Sequence, residues 1–201
     1  MLNTEPESIK QTHSHGSQLA LDNLILSPLG QVDRHAAFYS FAAKDNYSLG
    51  LMQGEAFSKQ AHTALASWSA LPDWSERVER SKKFLDATKI YFPHYVEEIR
   101  GYAAGAKIDF QALWAIGLEN ECDSLPAVHC TTVMTNGGKL VLHNEDHDIN
   151  SNNVICLLKK TVADLTVLEL FYFNTLGGNG ISINSHGYVQ AINSLDRKSV
   201  V

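Results

Sequence analysis

The amino-acid sequence predicts an α+β fold, in which a run of helices is followed by a run of strands. Apolar residues recur at helical spacing between residues 57 and 121, and short β-branched stretches separated by turn residues follow from residue 131. The two patterns do not alternate along the chain. Segregated helices and strands are typical of α+β domains, so we expect a mostly antiparallel sheet in the second half.

The bulk composition is that of one globular domain. The chain has 201 residues, 44% of them hydrophobic, and a formal net charge of −6. No Lys/Arg cluster occurs, which disfavours nucleic acid and anionic membrane surfaces as partners. The sequence has no apolar run of signal-peptide type and none long enough to span a bilayer. Three cysteines without secretory context predict reduced thiols and a cytoplasmic protein.

The first half is predicted to be mainly helical. Residues 1–22 are polar and are expected to be disordered or loosely packed, and the mainly helical region covers residues 23–129. Within it, residues 24–31 and 35–42 have the apolar character of short strands. Gly50 and Gly54 are expected to flank the start of a helix that buries one face, formed by Phe57, Ala61, Ala64, Leu65 and Trp68.

Local signals then divide the helical region. Asp73 with Glu76 predicts a capping box, and the charged side of the next helix is expected to face solvent. Pro93 should interrupt that helix. Asp109 is the expected cap of a further helix that ends at about residue 121.

Six strands are predicted after residue 130, at residues 131–135, 139–143, 153–159, 166–173, 180–184 and 188–193. Asn136-Gly137 predicts a tight hairpin between the first two, because both central residues of a type I′ turn need positive φ. If the ends of this hairpin meet, Cys130 and Asp146 face each other across the ladder.

Cys130 is the candidate nucleophile. A lone cysteine is usually a small buried hydrophobic residue, but this one opens a strand one hairpin away from a carboxylate. Cutting the bond between His129 and Cys130 would give Cys130 an α-amino group with an ordinary pKa of about 8. Such an amine serves as the base for threonine nucleophiles, and the same logic extends to a thiol.

Five stretches carry a resemblance to a known family: Cys-Thr-Thr at 130–132, Asn-Gly-Gly at 136–138, His-Asn-Glu-Asp at 143–146, Gly-Gly-Asn-Gly-Ile-Ser-Ile-Asn-Ser-His-Gly at 177–187 and Ala-Ile-Asn-Ser-Leu at 191–195. In this order and spacing they resemble the N-terminal-nucleophile (Ntn) hydrolases of the acyl-CoA:6-aminopenicillanate (isopenicillin N) acyltransferase family, which includes β-alanyl-amine hydrolases. Penicillin V acylases and choloylglycine (bile-salt) hydrolases are more distant relatives. The resemblance covers residues 45–195.

The resemblance implies a four-layer αββα sandwich and an autoprocessed enzyme that needs no cofactor or metal. Cys130 would be the nucleophile exposed by self-cleavage after His129, and Asp146 would hold the new α-amino group. Asn193 matches a residue whose backbone amide helps to form the oxyanion hole, and supporting roles fall to His143, Asn144 and Asn184. The implied substrate is a small-molecule linear amide or acyl thioester, such as an acyl-CoA-like compound.

This sequence departs from the family at two positions. His143 stands where bile-salt hydrolases have arginine, and His129 stands where the acyltransferase has glycine. Family members also continue well beyond the strand that ends near Leu195. The resemblance therefore predicts a β-chain region at residues 130–195 that is incomplete at its C-terminus, and a 201-residue chain that folds poorly and is inactive alone. Residues 196–201 are expected to be a non-native tail, because they match the translation of a common sequencing adapter.

Two other functions stay open on the sequence alone. The chain is also compatible with an unprocessed, non-catalytic homologue that acts as a binding or structural domain. A metal-dependent hydrolase would be built on His143 and His147. A calcium loop starting at Asp146 is disfavoured, because its sixth and twelfth positions lack glycine and glutamate. The glycines at 177–180 lack the strand, helix and lysine of a phosphate loop.

Overall fold

Four segments of the chain are described in the computed structural model: residues 37–118, 130–145, 155–173 and 177–193. The expected strand at residues 24–31 lies outside them. The chain divides into two units, Met1–Ala36 and Ala37–Val201, and all described residues belong to the second.

Strand β1 (Ala37–Ala43) precedes five helices, which are α1 (Asn46–Ala56), α2 (Ser58–Ser69), α3 (Trp74–Tyr91), α4 (Pro93–Ala106) and α5 (Phe110–Gly117). Six strands follow: β2 (Cys130–Thr135), β3 (Leu140–Glu145), β4 (Ile155–Val162), β5 (Leu165–Tyr172), β6 (Ser182–Asn184) and β7 (Val189–Gln190). The predicted α+β class is confirmed.

The strands form two sheets. One has five strands in the order β1-β4-β5-β6-β7, and the other is the β2-β3 hairpin. Every pairing is antiparallel except that of β1 with β4, which is parallel over seven residue pairs from Ala37–Cys156 to Ala43–Val162. The large sheet is therefore mixed, and one of its two edge strands, β1, comes from the part of the chain before the helices.

The core lies between the helices and one face of the large sheet. Phe57, between α1 and α2, is fully buried. Its ring centroid is 4.9 Å from that of Tyr39 on β1 and 5.6 Å from that of Phe171 on β5. Cys156 and Leu158 of β4 are fully buried in the same cluster. Alternate residues of these strands point to the helices, as the two-residue period of a strand requires.

Helices α1 and α4 pack backbone to backbone through four glycines. A Cβ atom built on Gly50 would lie 1.8 Å from the Glu98 carbonyl oxygen, and one on Gly101 would lie 2.0 Å from the Tyr47 carbonyl oxygen. Gly54 and Gly105, one turn further along each helix, make equally close approaches. The expectation that Gly50 and Gly54 flank a helix start is wrong. They lie inside α1, because only glycine lets the two backbones come this close.

Some helix-end predictions are confirmed. Asp109 caps α5 by accepting a hydrogen bond from the Ala112 amide at 2.9 Å, and Pro93 is the first residue of α4, directly after α3 has ended. The capping box is wrong, because the Asp73 carboxylate accepts no hydrogen bond from the start of α3. Its Oδ2 atom instead forms a salt bridge with Nη2 of Arg80 at 3.7 Å.

The charged side of α3 is not entirely solvated. Arg77 is 1% exposed and lies with its guanidinium 4.2 Å from the ring centroid of Trp68. It donates to the carbonyl oxygens of Ala115 at 3.0 Å and Leu118 at 2.9 Å. A cation at the C-terminal end of α5 satisfies carbonyl groups that have no partner within the helix.

A buried charge cluster joins the helices to the sheet. Nζ of Lys160 on β4 lies 3.0 Å from Oε1 of Glu98 on α4 and 2.9 Å from Oε1 of Glu169 on β5. Gln53 of α1 donates to the same Glu98 oxygen at 3.0 Å. Burial by itself lowers the pKa of Lys160, but the two carboxylates outweigh it and raise that pKa above its ordinary value.

Candidate active site

The β2-β3 hairpin forms as predicted, with a longer loop. Asn136 and Gly137 both have positive φ, at 53° and 64°, but Thr135 pairs with Leu140, so four residues connect the strands. The register places Glu145 opposite Cys130. The expectation that Asp146 is the residue facing Cys130 is therefore wrong by one position. Asp146 itself, and His129, lie outside the described residues.

One face of the hairpin carries the candidate nucleophile and the polar side chains near it. Paired residues of an antiparallel ladder point the same way and successive residues alternate, so Cys130, Thr132, His143 and Glu145 share a face. Asn144 pairs with Thr131 and belongs to the opposite face. Its predicted supporting role next to Asp146 stays a prediction, because Asp146 lies outside the described residues.

Asn193 lies beside Cys130, from which it is separated by 63 residues. Its side-chain Nδ2 donates to the Cys130 carbonyl oxygen at 2.9 Å. The Thr132 hydroxyl donates to Oδ1 of Asn193 at 2.5 Å, and Thr132 Oγ1 lies 2.9 Å from Nδ1 of His143. Two residues singled out from the sequence, Asn193 and His143, are thus joined to the start of β2 through one threonine hydroxyl.

The other side of His143 faces a carboxylate. Its Nε2 atom lies 3.2 Å from Oε1 of Glu145, and the two side chains are 1% and 11% exposed. These two atoms are buried and are not aligned as a hydrogen bond. The remaining Glu145 oxygen, Oε2, accepts a hydrogen bond from the Tyr172 hydroxyl of β5. Tyr172 thereby connects the hairpin to the large sheet.

Tyr172 is held in its neutral, donating form. Burial is the largest influence that raises its pKa, followed by the hydrogen bond to Glu145 and the charges of Glu145 and Cys130. These influences place the phenol, the carboxylate and the thiol in one electrostatic neighbourhood.

The two described cysteines differ in environment. Both are free thiols, but Cys156 is fully buried, whereas Cys130 is partly accessible. Burial, and then the charge of Glu169, raise the pKa of Cys156 to about 12. Thiolates are the reactive form of cysteine, so Cys156 is a core residue and Cys130 is the described thiol that is open to chemistry.

Asn184 serves a turn. Its Oδ1 accepts the backbone amides of His186 and Tyr188, each at 3.0 Å, and so organises the connection from β6 to β7. These bonds account for its local role, and the structure does not bring it into the hydrogen-bonded group around Cys130.

An apolar groove of about 360 Å³ lies between the hairpin and the large sheet. Its walls include Leu140, Val141, Leu157, Leu168 and Ile183. Leu140 is five residues along β3 from Glu145, a distance of about 17 Å for an extended strand. The groove is therefore at the turn end of the hairpin, away from Cys130.

The described residues form neither a metal-binding cluster nor a helix that could span a membrane. Within residues 37–118, 130–145, 155–173 and 177–193, no three His, Cys, Asp or Glu side chains come together as a metal-binding group. None of the helices described combines the length and the apolar character needed to cross a membrane.

Comparison with known proteins gives no assignment: no protein-family model matches this chain, and no curated protein matches it.

Three site residues received no individual role from the sequence. The loop length sets the register of the hairpin. Once that register is known, the period of two along each strand predicts that Thr132 and Glu145 lie on the same face as Cys130. Tyr172 had no such signal, because nothing local in β5 indicates which face of the hairpin it contacts.

Proposed function

We propose that this chain is a cysteine N-terminal-nucleophile amidohydrolase or acyltransferase of the family that its motifs resemble. The observation that carries the proposal is the hydrogen bond from Asn193 Nδ2 to the Cys130 carbonyl oxygen. It brings together the motif that begins with the candidate nucleophile and the motif that contains the candidate oxyanion residue. Cys130 is also the first residue of its strand, where a cut would expose it.

The proposed reaction begins with scission between His129 and Cys130. The α-amino group that results takes the proton of the Cys130 thiol, and Sγ attacks the carbonyl carbon of a linear amide or acyl thioester. An acyl-enzyme forms, and water or an amine then releases the acyl group. The backbone amide of Asn193 is the proposed oxyanion donor, a contribution of about 3 kcal/mol for a well-placed donor. Asp146 is the proposed holder of the α-amino group.

The proposed fold is the αββα sandwich. Tyr172 and Glu145 join the hairpin to the face of the large sheet that points away from the helices, as two stacked sheets would be joined. The outer face of the hairpin carries Val133 and Leu142, which are 48% and 53% exposed. Apolar side chains on both faces favour a sheet that belongs inside a layered structure.

The proposed substrate is a small molecule with a linear amide or an acyl thioester, and the chemistry requires no cofactor. We place the enzyme in the cytoplasm, where its thiols stay reduced.

Denaturing mass spectrometry of the full chain tests the proposal. We expect a fragment that begins at Cys130 in the wild type and its loss in Cys130→Ala. Thr131→Ala, at an exposed position on the opposite face, is the matched control and should be cut normally. A chain that stays whole, or one that is cut equally in Cys130→Ala, would overturn the proposal and leave the non-catalytic homologue as the better description.

A labelling experiment distinguishes a cleaved protein whose Cys130 thiol is reactive from a cleaved protein whose Cys130 thiol is not. Iodoacetamide should modify the peptide that begins at Cys130 rapidly, and the buried Cys156 only after unfolding. Equal protection of both thiols in cut, folded protein would argue against a working nucleophile.

A further inference from the structure

The directions of the hydrogen bonds around Thr132 determine which nitrogen of His143 carries a proton. Asn193 donates through Nδ2 to the Cys130 carbonyl, so its Oδ1 is the atom that faces Thr132. An amide oxygen can only accept, and the Thr132 hydroxyl proton must therefore point to Asn193. Thr132 Oγ1 is then an acceptor toward His143, which requires a proton on Nδ1.

The opposite nitrogen then meets an acceptor. In a neutral imidazole with its proton on Nδ1, Nε2 presents a lone pair. It faces Glu145 Oε1 at 3.2 Å, while the other carboxylate oxygen already accepts from Tyr172. Two buried acceptors in contact are unfavourable, and uptake of a proton by either atom would relieve the contact. The His143–Glu145 pair is therefore a site that can take up a proton and return it.

Glu145 of this pair lies across the ladder from Cys130, whose backbone nitrogen belongs to the bond that the proposed function requires to break. Glu145 is the direct partner of Cys130, and Cβ atoms of such pairs are about 4.5–5.5 Å apart. The α-amino group that serves as base in turnover does not exist until the bond is cut. Scission therefore needs a different group that can both take and give a proton.

We propose that Glu145, positioned by His143 and Tyr172, is the proton carrier for self-cleavage of the His129–Cys130 bond. This inference rests on the proposed function and adds a step that precedes it. Glu145 acts on the reacting atoms, and His143 is a positioning residue that acts through Glu145. Once the α-amino group is free, the pair is no longer needed as a base.

The step balances as a shift of the acyl group from nitrogen to sulfur. Sγ of Cys130 bonds to the carbonyl carbon of His129, and the bond from that carbon to the Cys130 nitrogen breaks. The pair accepts the thiol proton and gives a proton to the departing nitrogen, which becomes an amine. Water then hydrolyses the thioester, which restores the thiol and leaves a carboxyl group on His129.

The decisive variant is Glu145→Gln in the full chain, which keeps the shape of the side chain and an oxygen for Tyr172. We expect scission to be slower by about 100-fold or more, the lower end of the range for general acid–base catalysis. The remaining cleavage should lose the pH dependence of the wild type. Cleavage is followed by denaturing mass spectrometry over time, and thermal unfolding checks that the fold is retained.

Two further variants separate proton transfer from structural support. Glu145→Asp keeps an ionisable group and should recover part of the rate. Tyr172→Phe removes one hydrogen bond but keeps the carboxylate, so it should shift the pH profile of scission without abolishing it. If Glu145→Asp and Glu145→Gln both fold and are equally slow, the carboxylate is not the carrier and the inference is overturned.

Failure of this inference differs from failure of the proposed function. If the wild type is cut and Cys130→Ala is not, while Glu145→Gln is slowed by less than about tenfold, the proton carrier is rejected and the nucleophile stands. If the wild type is never cut at His129, both are rejected.

Discussion

The side-chain amide of Asn193 donates to the carbonyl oxygen of Cys130 at 2.9 Å, and the same amide accepts the hydroxyl proton of Thr132 at 2.5 Å. Asn193, three residues after the end of β7, thus binds the first residues of β2 through both polar atoms of its side chain. The position of Cys130 depends on this clamp as well as on the hairpin ladder.

Replacement of Asn193 by Asp should loosen the start of β2. The substitution puts an oxygen where Nδ2 donates, so two acceptors would face each other at Cys130, at a cost of about 1–3 kcal/mol. We expect amide exchange in β2 to rise about tenfold or more, measured by hydrogen–deuterium exchange. Asn179→Asp, which introduces the same charge at an exposed position, should leave that exchange unchanged. Equal exchange in the two variants would contradict the clamp.

Replacement of Gly50 by Ala should destabilise the whole domain. The added Cβ would lie 1.8 Å from a backbone carbonyl of α4, so the two helices must separate. We expect the free energy of unfolding to fall by about 3 kcal/mol or more, at the upper end for overpacked cores. Glu55→Ala, on the exposed side of α1, is the control for urea unfolding. A wild-type midpoint for Gly50→Ala would show that α1 and α4 do not cross this closely.

Replacement of Lys160 by Met should leave two buried carboxylates without their cation. Removing one partner of a buried ion pair typically costs about 3–5 kcal/mol, and Glu98 and Glu169 would then face each other. The neighbouring Lys159→Met lies on the exposed side of β4 and should change stability little. Chemical denaturation of both variants tests the difference, and similar midpoints would show that the charge cluster contributes nothing.

Alkaline pH should weaken the fold. The folded-state pKa values of Cys156, Tyr102 and Lys160 lie above their ordinary values of 9.0, 10.0 and 10.5, with burial as the main cause for Cys156 and Tyr102. As pH rises, the unfolded chain therefore loses these protons first, and stability falls from about pH 9 upwards.

The measurement is the free energy of unfolding at about pH 8 and about pH 10.5, where we expect a drop of at least about 1 kcal/mol. Cys156→Ala removes the first group to titrate and should reduce the drop. A free energy that stays constant or rises over this range would contradict the buried environment of these groups.

The sequence predicted the features that depend on neighbouring residues. The hairpin at Asn136-Gly137, the Asp109 cap and the break at Pro93 each follow from conformational limits of one or two residues. The capping box at Asp73 failed because its backbone, at φ −96° and ψ 11°, lacks the extended conformation in which an N-cap side chain reaches the first turn.

Features that join distant parts of the chain were not predictable from pattern alone. The glycine pairs at 50 and 54 and at 101 and 105 share a spacing of four, but this spacing alone does not indicate that the two helices contact each other. The parallel partner of β1 lies more than 100 residues away. At the site, a loop of four residues sets the register that puts Glu145, and not Asp146, opposite Cys130.

The parallel pairing of β1 with β4 has a consequence for a cut chain. β1 and all five helices precede the His129–Cys130 bond, whereas β4 to β7 follow it. The strand ladder, the Glu98–Lys160 ion pair and the hydrogen bond from the Tyr95 hydroxyl to the Gly177 carbonyl all cross between the two pieces. The cleaved protein would therefore persist as a non-covalent heterodimer, with one elution volume on gel filtration and two bands after boiling in detergent.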